Sequence, residues 1–360
     1  MARDGAGRAT RYSHATSLIS IEVDNRKRWW TSAKGKRSVV APGRGGQEHE
    51  CDQPAGERIR IVGFHVEPDA YQMVATWAAA RGYELALVVT TAGPVHTDYD
   101  GHNAILATAP RAQDVLATTK LKRAALPIAA YAPDIILSYT FPYRLPPEIL
   151  AIPRLGAVNL HPSALPAYRG PNPHRMLYDG APTLGATLHR TAKGFDTGAI
   201  LSRHEAPPPQ ELTVDRVRAV WNHLMYLALD QGVLRAIAGE PGTPQDHAAA
   251  TYAASFAPEE YWLDWTWSMA TLERRVVALN LIEPRARATI DGAAFTVLAA
   301  RPVVTPNPVA KPGTALGQTA EGYQIAVSDG AVDLILSPES IADSTPADPP
   351  VTPPAWIPLG

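Results

Sequence analysis

Residues 59–78 read IRIVGFHVEPDAYQMVATWA, and the fold class follows from this stretch. Residues 59–64 form a short apolar run of strand type. Pro68 suits the first turn of a helix, and Tyr71, Val74, Trp77 and Ala78 then recur at helical spacing. A strand feeding directly into a helix is half of a βαβ unit. Residues 85–89 repeat the buried strand, 115–130 read as helical, and 134–139 form a third strand. This alternation predicts an α/β protein with a doubly wound, mostly parallel sheet. Residues 157–160, 186–189 and 199–202 continue the strands. Residues 214–237 give a long helix, and the Gly239-Glu240-Pro241-Gly242 run breaks it.

A domain over residues 58–243 is therefore expected, followed by a linker at 244–260 and a second, smaller β-rich domain at 261–337. In the latter, a helix near 268–280 shares one face among Leu272, Val276 and Leu279. Short strands at 293–300, 313–317, 323–327 and 332–336 are separated by Gly-Pro and Asp329-Gly330 turn signals, as in a small antiparallel barrel. Residues 1–57 carry basic clusters such as Arg26-Lys27-Arg28-Trp29-Trp30 without any sustained period, and read as a disordered basic leader. Residues 338–360 hold seven prolines and read as a Pro-rich tail.

Composition narrows the function classes. The chain has 360 residues, 46% hydrophobic and 19% charged, the balance of an ordinary globular protein. One cysteine, Cys51, excludes an intramolecular disulfide framework, a multi-cysteine zinc site and an iron–sulfur cluster, and favours a reducing, cytoplasmic setting. No apolar run of about 18 residues is present to span a membrane, so no membrane partner is expected. With 33 basic against 35 acidic residues there is no overall attraction to nucleic acid. The sheet also lacks Gly-x-Gly-x-x-Gly after Val62 and any phosphate-loop pattern, so it signals neither a dinucleotide nor a nucleoside triphosphate.

The chemistry concentrates in Asn159-Leu160-His161-Pro162-Ser163-Ala164-Leu165-Pro166-Ala167-Tyr168-Arg169-Gly170-Pro171-Asn172-Pro173. In a strand, Asn159 and His161 share a face, at the carboxyl end where parallel sheets bind ligands. Asp196 follows in the glycine-flanked run 193–198, within reach of the histidine. An amide donor, an imidazole and a carboxylate are the groups that stabilise a developing oxyanion and move a proton. No Gly-x-Ser-x-Gly elbow supplies a covalent nucleophile.

These motifs, together with Tyr168-Arg169-Gly170, Gly185-Ala186-Thr187-Leu188-His189 and Phe195-Asp196-Thr197-Gly198-Ala199-Ile200-Leu201, resemble in order and spacing the folate-dependent formyltransferase family. That family includes enzymes formylating methionyl-tRNA, glycinamide ribonucleotide and amino sugars. The resemblance covers roughly residues 59–240. Further on, Ala250-Thr251-Tyr252-Ala253, Leu263-Asp264-Trp265 and residues 272–280 look like the passage to the OB-like domain of the tRNA and amino-sugar branches. The resemblance implies a Rossmann-like catalytic domain and N10-formyltetrahydrofolate as formyl donor, with no metal. It places Asn159, His161 and Asp196 as the catalytic trio. The folate pocket would involve Ser138, Tyr139, Phe141, Tyr143, Leu145, Gly194 and Phe195, and the acceptor site Ser163, Tyr168, Arg169 and Asn172.

The acceptor is less explicit. In the tRNA branch the loop after the second strand is long and basic, whereas residues 91–103 here contain neither lysine nor arginine. A small-molecule primary amine, either a nucleotide-linked amino sugar or an amino-acid-derived amine, is the expected acceptor. Methionyl-tRNA is the alternative, and a formyltetrahydrofolate hydrolase or folate-binding protein a second one. The trio alone does not separate transferase from hydrolase.

Overall fold

The computed structural model describes residues 58–91, 101–303 and 310–338. The leader at 1–57, positions 92–100 of the cation-free segment and the tail from 339 onward lie outside the described residues. β1 (Arg60–Phe64) is buried on both faces, as a non-alternating apolar run requires. It leads into α1 (Pro68–Ala80), which begins with Pro68 and buries Tyr71, Val74, Trp77 and Ala78. Then come β2 (Glu84–Thr90), α2 (Gly101–Thr108), β3 (Val115–Ala117), α3 (Ala125–Ala130), β4 (Ile135–Ser138), α4 (Pro147–Leu150) and β5 (Ala157–His161). α5 (Arg175–Asp179), β6 (Leu184–Arg190), β7 (Ile200–Ala206) and α6 (Val214–Ile237) complete this half.

The first sheet runs in the order β3-β2-β1-β4-β5-β6-β7. It is parallel from β3 to β5, and β6 and β7 continue it antiparallel. The chain winds outward from β1 on one side and then crosses to β4 on the other, which creates a switch point between these two strands. Residues 115–130 depart from the helix expected there. Val115 to Ala117 pair with Val88 to Thr90 as β3, and helix resumes only as a 3-10 turn at Leu121–Ala124 and the short α3. Pairing with the sheet edge overrides the local helical period, aided by the β-branched Thr118 and Thr119.

α6 starts at Thr213, whose hydroxyl accepts from the Arg216 N–H (3.3 Å). The indole of Trp77 and the guanidinium of Arg81 both donate to Asp230, which fastens α1 to α6.

The second sheet is antiparallel and follows α7 (Met269–Leu279). Its strands are β8 (Arg287–Ile290), β9 (Ala293–Val303), β10 (Ala315–Gln318), β11 (Gly322–Val327) and β12 (Gly330–Leu336), in the order β10-β11-β12-β9-β8, an OB-like half-barrel. β8 was not anticipated. Its turn, Asp291-Gly292 with both φ positive, is the primed type that matches hairpin twist. Leu272 and Val276 of α7 share one apolar cluster with Val158 of the first sheet and Val297 and Val332 of the second. The Arg275 guanidinium lies 4.1 Å from the ring centre of Trp267 and 4.4 Å from that of Tyr178, binding α7 to α5. Among the described residues no helix is long and apolar enough to cross a membrane.

Two stability predictions follow from this packing. At Gly232 of α6 an added Cβ would lie 2.5 Å from Leu188 and 2.6 Å from the Ser202 hydroxyl. Gly232→Ala gains about 1 kcal/mol of helix propensity but overpacks a contact worth about 1–3 kcal/mol, and the overlap prevails. Urea unfolding should show a less stable variant; a more stable one would mean the helix stands further from the sheet. The second concerns His65, which is fully buried after β1 and donates Nδ1–H to the Tyr139 carbonyl (3.1 Å). Burial lowers it from 6.5 to about 4, against a smaller opposing effect of that hydrogen bond. The unfolded chain takes up this proton near pH 6.5 and the folded one only near 4, so stability falls as pH drops between those values, by about 3 kcal/mol for this group. His65→Gln should flatten that part of the stability–pH curve.

Candidate active site

The site grows from the end of β5. Strand periodicity brings Asn159 and His161 to one face, and the antiparallel register sets His189 of β6 opposite Asn159 and Thr187 opposite His161. The turn between β6 and β7 then returns Asp196 to the same place. Asp196 is held at φ 52°, in the left-handed region that only special turns impose on a residue with a side chain. Gly198 is what lets the turn close, because a Cβ there would fall 1.7 Å from the Arg190 carbonyl oxygen.

Around the Asp196 carboxylate the distances are short. Asn159 Nδ2 donates to Oδ1 (3.3 Å) and the Gly170 N–H donates to Oδ2 (3.0 Å). His161 Nδ1 lies 3.6 Å from Oδ2 and His189 Nε2 3.5 Å from Oδ1. Each ring has its other nitrogen on a backbone carbonyl, His161 Nε2 on Tyr168 (2.9 Å) and His189 Nδ1 on Arg190 (2.8 Å). A carbonyl only accepts, so those nitrogens carry the protons and the two facing Asp196 are the ones open to protonation. Asn159 Nδ2 also contacts His189 Nε2 (3.2 Å), giving each of its two N–H groups an acceptor.

Burial acts to raise the Asp196 carboxyl, but the histidines and the Gly170 N–H outweigh it and hold the group well below the usual carboxylate range. Burial likewise dominates at His161 and lowers it, only partly offset by Asp196 and the Tyr168 carbonyl. Near neutral pH the site therefore holds an ionised Asp196 beside a neutral His161. Such a pair can accept a proton at Nδ1 when negative charge develops nearby.

The other sequence-predicted residues fall into three groups. Ser138 lies beside Asn159 in the sheet register, whereas Tyr139, the next residue, packs against the main apolar cluster near Glu67 and Asp69 and is a core residue rather than a pocket wall. Tyr143 is exposed, edge-on to Phe141 (6.0 Å), while Arg144 covers the Phe195 ring (5.0 Å), so these residues and Gly194 line up towards the Asp196 turn. Phe141 and Leu145 also pack into the cluster containing Phe64 and Ile149, which makes Leu145 a core residue rather than an exposed pocket wall. Ser163 is turned away from the crevice: it is fully buried and its hydroxyl donates to the Ala167 carbonyl (2.7 Å). Arg169 and Asn172 hold the linker instead of facing the crevice. Arg169 donates to Gln245 (2.6 Å) and Asn172 Nδ2 to the Ala254 carbonyl (3.1 Å). Tyr168 contributes its carbonyl, at a left-handed φ of 56°.

Three participants were missed from the sequence. His189 stood inside a motif already noted, but its place opposite Asn159 depends on antiparallel register. Gly170 acts through its backbone N–H. Gln245 lies in a loop-rich passage with no local signal.

The Formyl transferase family model matches residues 97–229, and the model for the Formyl transferase C-terminal domain matches residues 256–339. A methionyl-tRNA formyltransferase of Halorhodospira halophila is 34% identical over 61% of this chain and 72% of its own length. Another, of Burkholderia vietnamiensis, is 36% identical over 55% of this chain, and the match spans 61% of that relative. Among solved structures, the sugar 3N-formyl transferase WlaRD, determined with dTDP and 5-N-formyl-THF, aligns at a TM-score of 0.54. It shares 13% identity and is covered over 79% of this chain and 100% of its own. The structural match concerns the fold, while the two family models and the 34% identical relative, covered over 72% of its length, show that the chain belongs to the formyltransferase family.

Proposed function

We propose that this protein transfers a formyl group from N10-formyltetrahydrofolate to an amine, with Asn159, His161 and Asp196 around the reacting carbon. The observation that carries this reading is the convergence of an amide N–H, an imidazole and an ionised carboxylate at a crevice with adjacent aromatic walls. Tyr143, and Phe195 beneath Arg144, suit a planar pterin ring next to Asp196.

The amine lone pair attacks the formyl carbon and the carbonyl π pair moves onto oxygen. Asn159 turns one of its two long N–H contacts to that oxygen. The attacking nitrogen, now cationic, gives its proton to His161 Nδ1, where Asp196 stabilises the imidazolium. As the carbonyl re-forms, the bond to the donor nitrogen breaks and that nitrogen takes the proton.

For the acceptor, the amino group of methionyl-tRNA is the reading best supported, because the relatives at 34% and 36% identity carry that name. This reverses the preference drawn from the sequence. The small-amine reading keeps one specific observation in its favour, the absence of lysine and arginine from residues 91–103.

Asn159→Ala and His161→Ala should each lower turnover about a hundredfold or more while leaving the fold intact, the usual loss for an oxyanion donor and for a general base respectively. Asp196→Asn, nearly isosteric, should be comparably severe because an amide cannot stabilise the imidazolium. Steady-state rates beside circular dichroism check this, and near-wild-type turnover in any of the three would remove that residue from the centre.

The acceptor is tested by offering N10-formyltetrahydrofolate with methionyl-tRNA, with a nucleotide-linked amino sugar, and with no amine, and following the mass gain of one formyl group. Efficient, salt-sensitive formylation of methionyl-tRNA is expected, since phosphate contacts weaken steeply between about 50 and 200 mM salt. Preference for the sugar would restore the small-amine reading, and formate release independent of amine would indicate a hydrolase.

A further inference from the structure

We infer that Gln245 is a positioning residue for Asp196, clamping the turn that carries the carboxylate to the loop that carries Tyr168 and Gly170. The inference rests on the formyl-transfer reading above. Gln245 is 7% exposed and comes from the passage between the two sheets, far in sequence from either loop. Its carboxamide Nε2 donates to the Asp196 carbonyl (2.8 Å) and the Gly198 carbonyl (2.7 Å), and its Oε1 accepts from Arg169 Nη2 (2.6 Å) and Nε (3.2 Å). A carboxamide offers two N–H groups and two lone pairs, and all four are engaged. No other side chain supplies this set at this length.

The backbone brings it there deliberately. Thr243 and Ile200 exchange hydrogen bonds of 2.8 Å each way, extending the start of β7 by one rung, and Gly242 at φ 84° turns the chain close to the Ile200 carbonyl. Both loops that Gln245 joins are in conformations that need support. Asp196 and Tyr168 have φ values of 52° and 56°, each costing on the order of 1–3 kcal/mol unless the surroundings impose it. Both loops also make the decisive contacts: the Tyr168 carbonyl orients His161, and the Gly170 N–H holds the carboxylate. If the clamp is removed, Asp196 can draw back from His161 without any loss of core packing.

His161 provides a readout independent of turnover. The groups that act on it are Asp196 at 3.6 Å and the Tyr168 carbonyl, which favour its charged form, and His189 and Arg169, which oppose it. Loosening Asp196 removes the main support for the charged ring. In the full-length chain, NMR titration of the His161 imidazole, assigned with His161→Gln, should therefore show a midpoint at lower pH in Gln245→Ala than in the wild type.

Gln245→Met keeps the length without adding a charge and removes every hydrogen bond of the carboxamide, and should shift the midpoint in the same direction. In both variants kcat should fall about ten- to a hundredfold, the range for a displaced catalytic group, with the donor KM changed less than about threefold. If Gln245→Ala does not fold, Gln245→Met supplies the same comparison. An unmoved His161 midpoint overturns the inference, whether or not kcat falls. A shifted midpoint in a wild-type background that transfers no formyl group to any amine would instead overturn the functional reading and leave the clamp standing.

Discussion

The Asp196 carboxylate is only about a tenth exposed, and it touches the Gly170 N–H, the Asn159 amide and the open nitrogens of His161 and His189. An ionised carboxylate taken from water without such partners would be penalised by about several kcal/mol and would protonate instead. The partners come from β5, from β6 and from the loop after β5, so the charge is tolerated only when those pieces of chain are all in register. The antiparallel register of β6 sets His189 opposite Asn159, and β6 ends beside the start of β5, where Arg190 stands opposite Val158, so the turn that follows must fold back along the strand to bring Asp196 to Asn159 and His161.

The passage between the two sheets shares in that requirement. The Tyr168 N–H donates to the Thr251 hydroxyl (2.8 Å), and Arg169 and Ala253 exchange strand-like bonds with residues of the opposite segment. Arg175 pairs with Glu260 through both Nη atoms and covers Phe256. A segment read from sequence as a simple linker therefore forms the outer support of the loop that orients His161. Arg169 and Asn172, which the sequence led one to expect at an acceptor, are already committed to that support.

How far the sequence could be read follows from the range of the interactions involved. β1, α1, β4, β5 and α6 were legible because their signal is local: a buried run of one period, ended by proline or glycine. β3 was not, since its three residues form a strand only through pairing with Val88 to Thr90. The grouping of Asn159, His161 and Asp196 was legible because the first two are two residues apart on one strand and Asp196 lies between glycines. His189 and Gln245 gave no comparable sign, because their roles depend on register across strands and on contacts between residues 49 and 76 positions apart.

The same distinction bears on acceptor choice. Moving a formyl group engages a few atoms at the end of β5 and the turn after β6, and that arrangement is indifferent to what the amine is attached to. Discrimination must come from binding energy gathered elsewhere on the acceptor, and for a polyanion that means cations or backbone donors placed along its path. Residues 91–103 contribute none of the former. Tyr143 and Arg144, with the cations Lys120, Lys122 and Arg123 at the 3-10 turn after β3, stand further along the carboxyl edge of the same sheet and are exposed. Leu121 of that turn packs in one cluster with Phe141 and Leu145, so the basic turn and the aromatic loop form a continuous rim. For the acceptor proposed above, these exposed cations offer phosphate contacts that residues 91–103, without lysine or arginine, cannot.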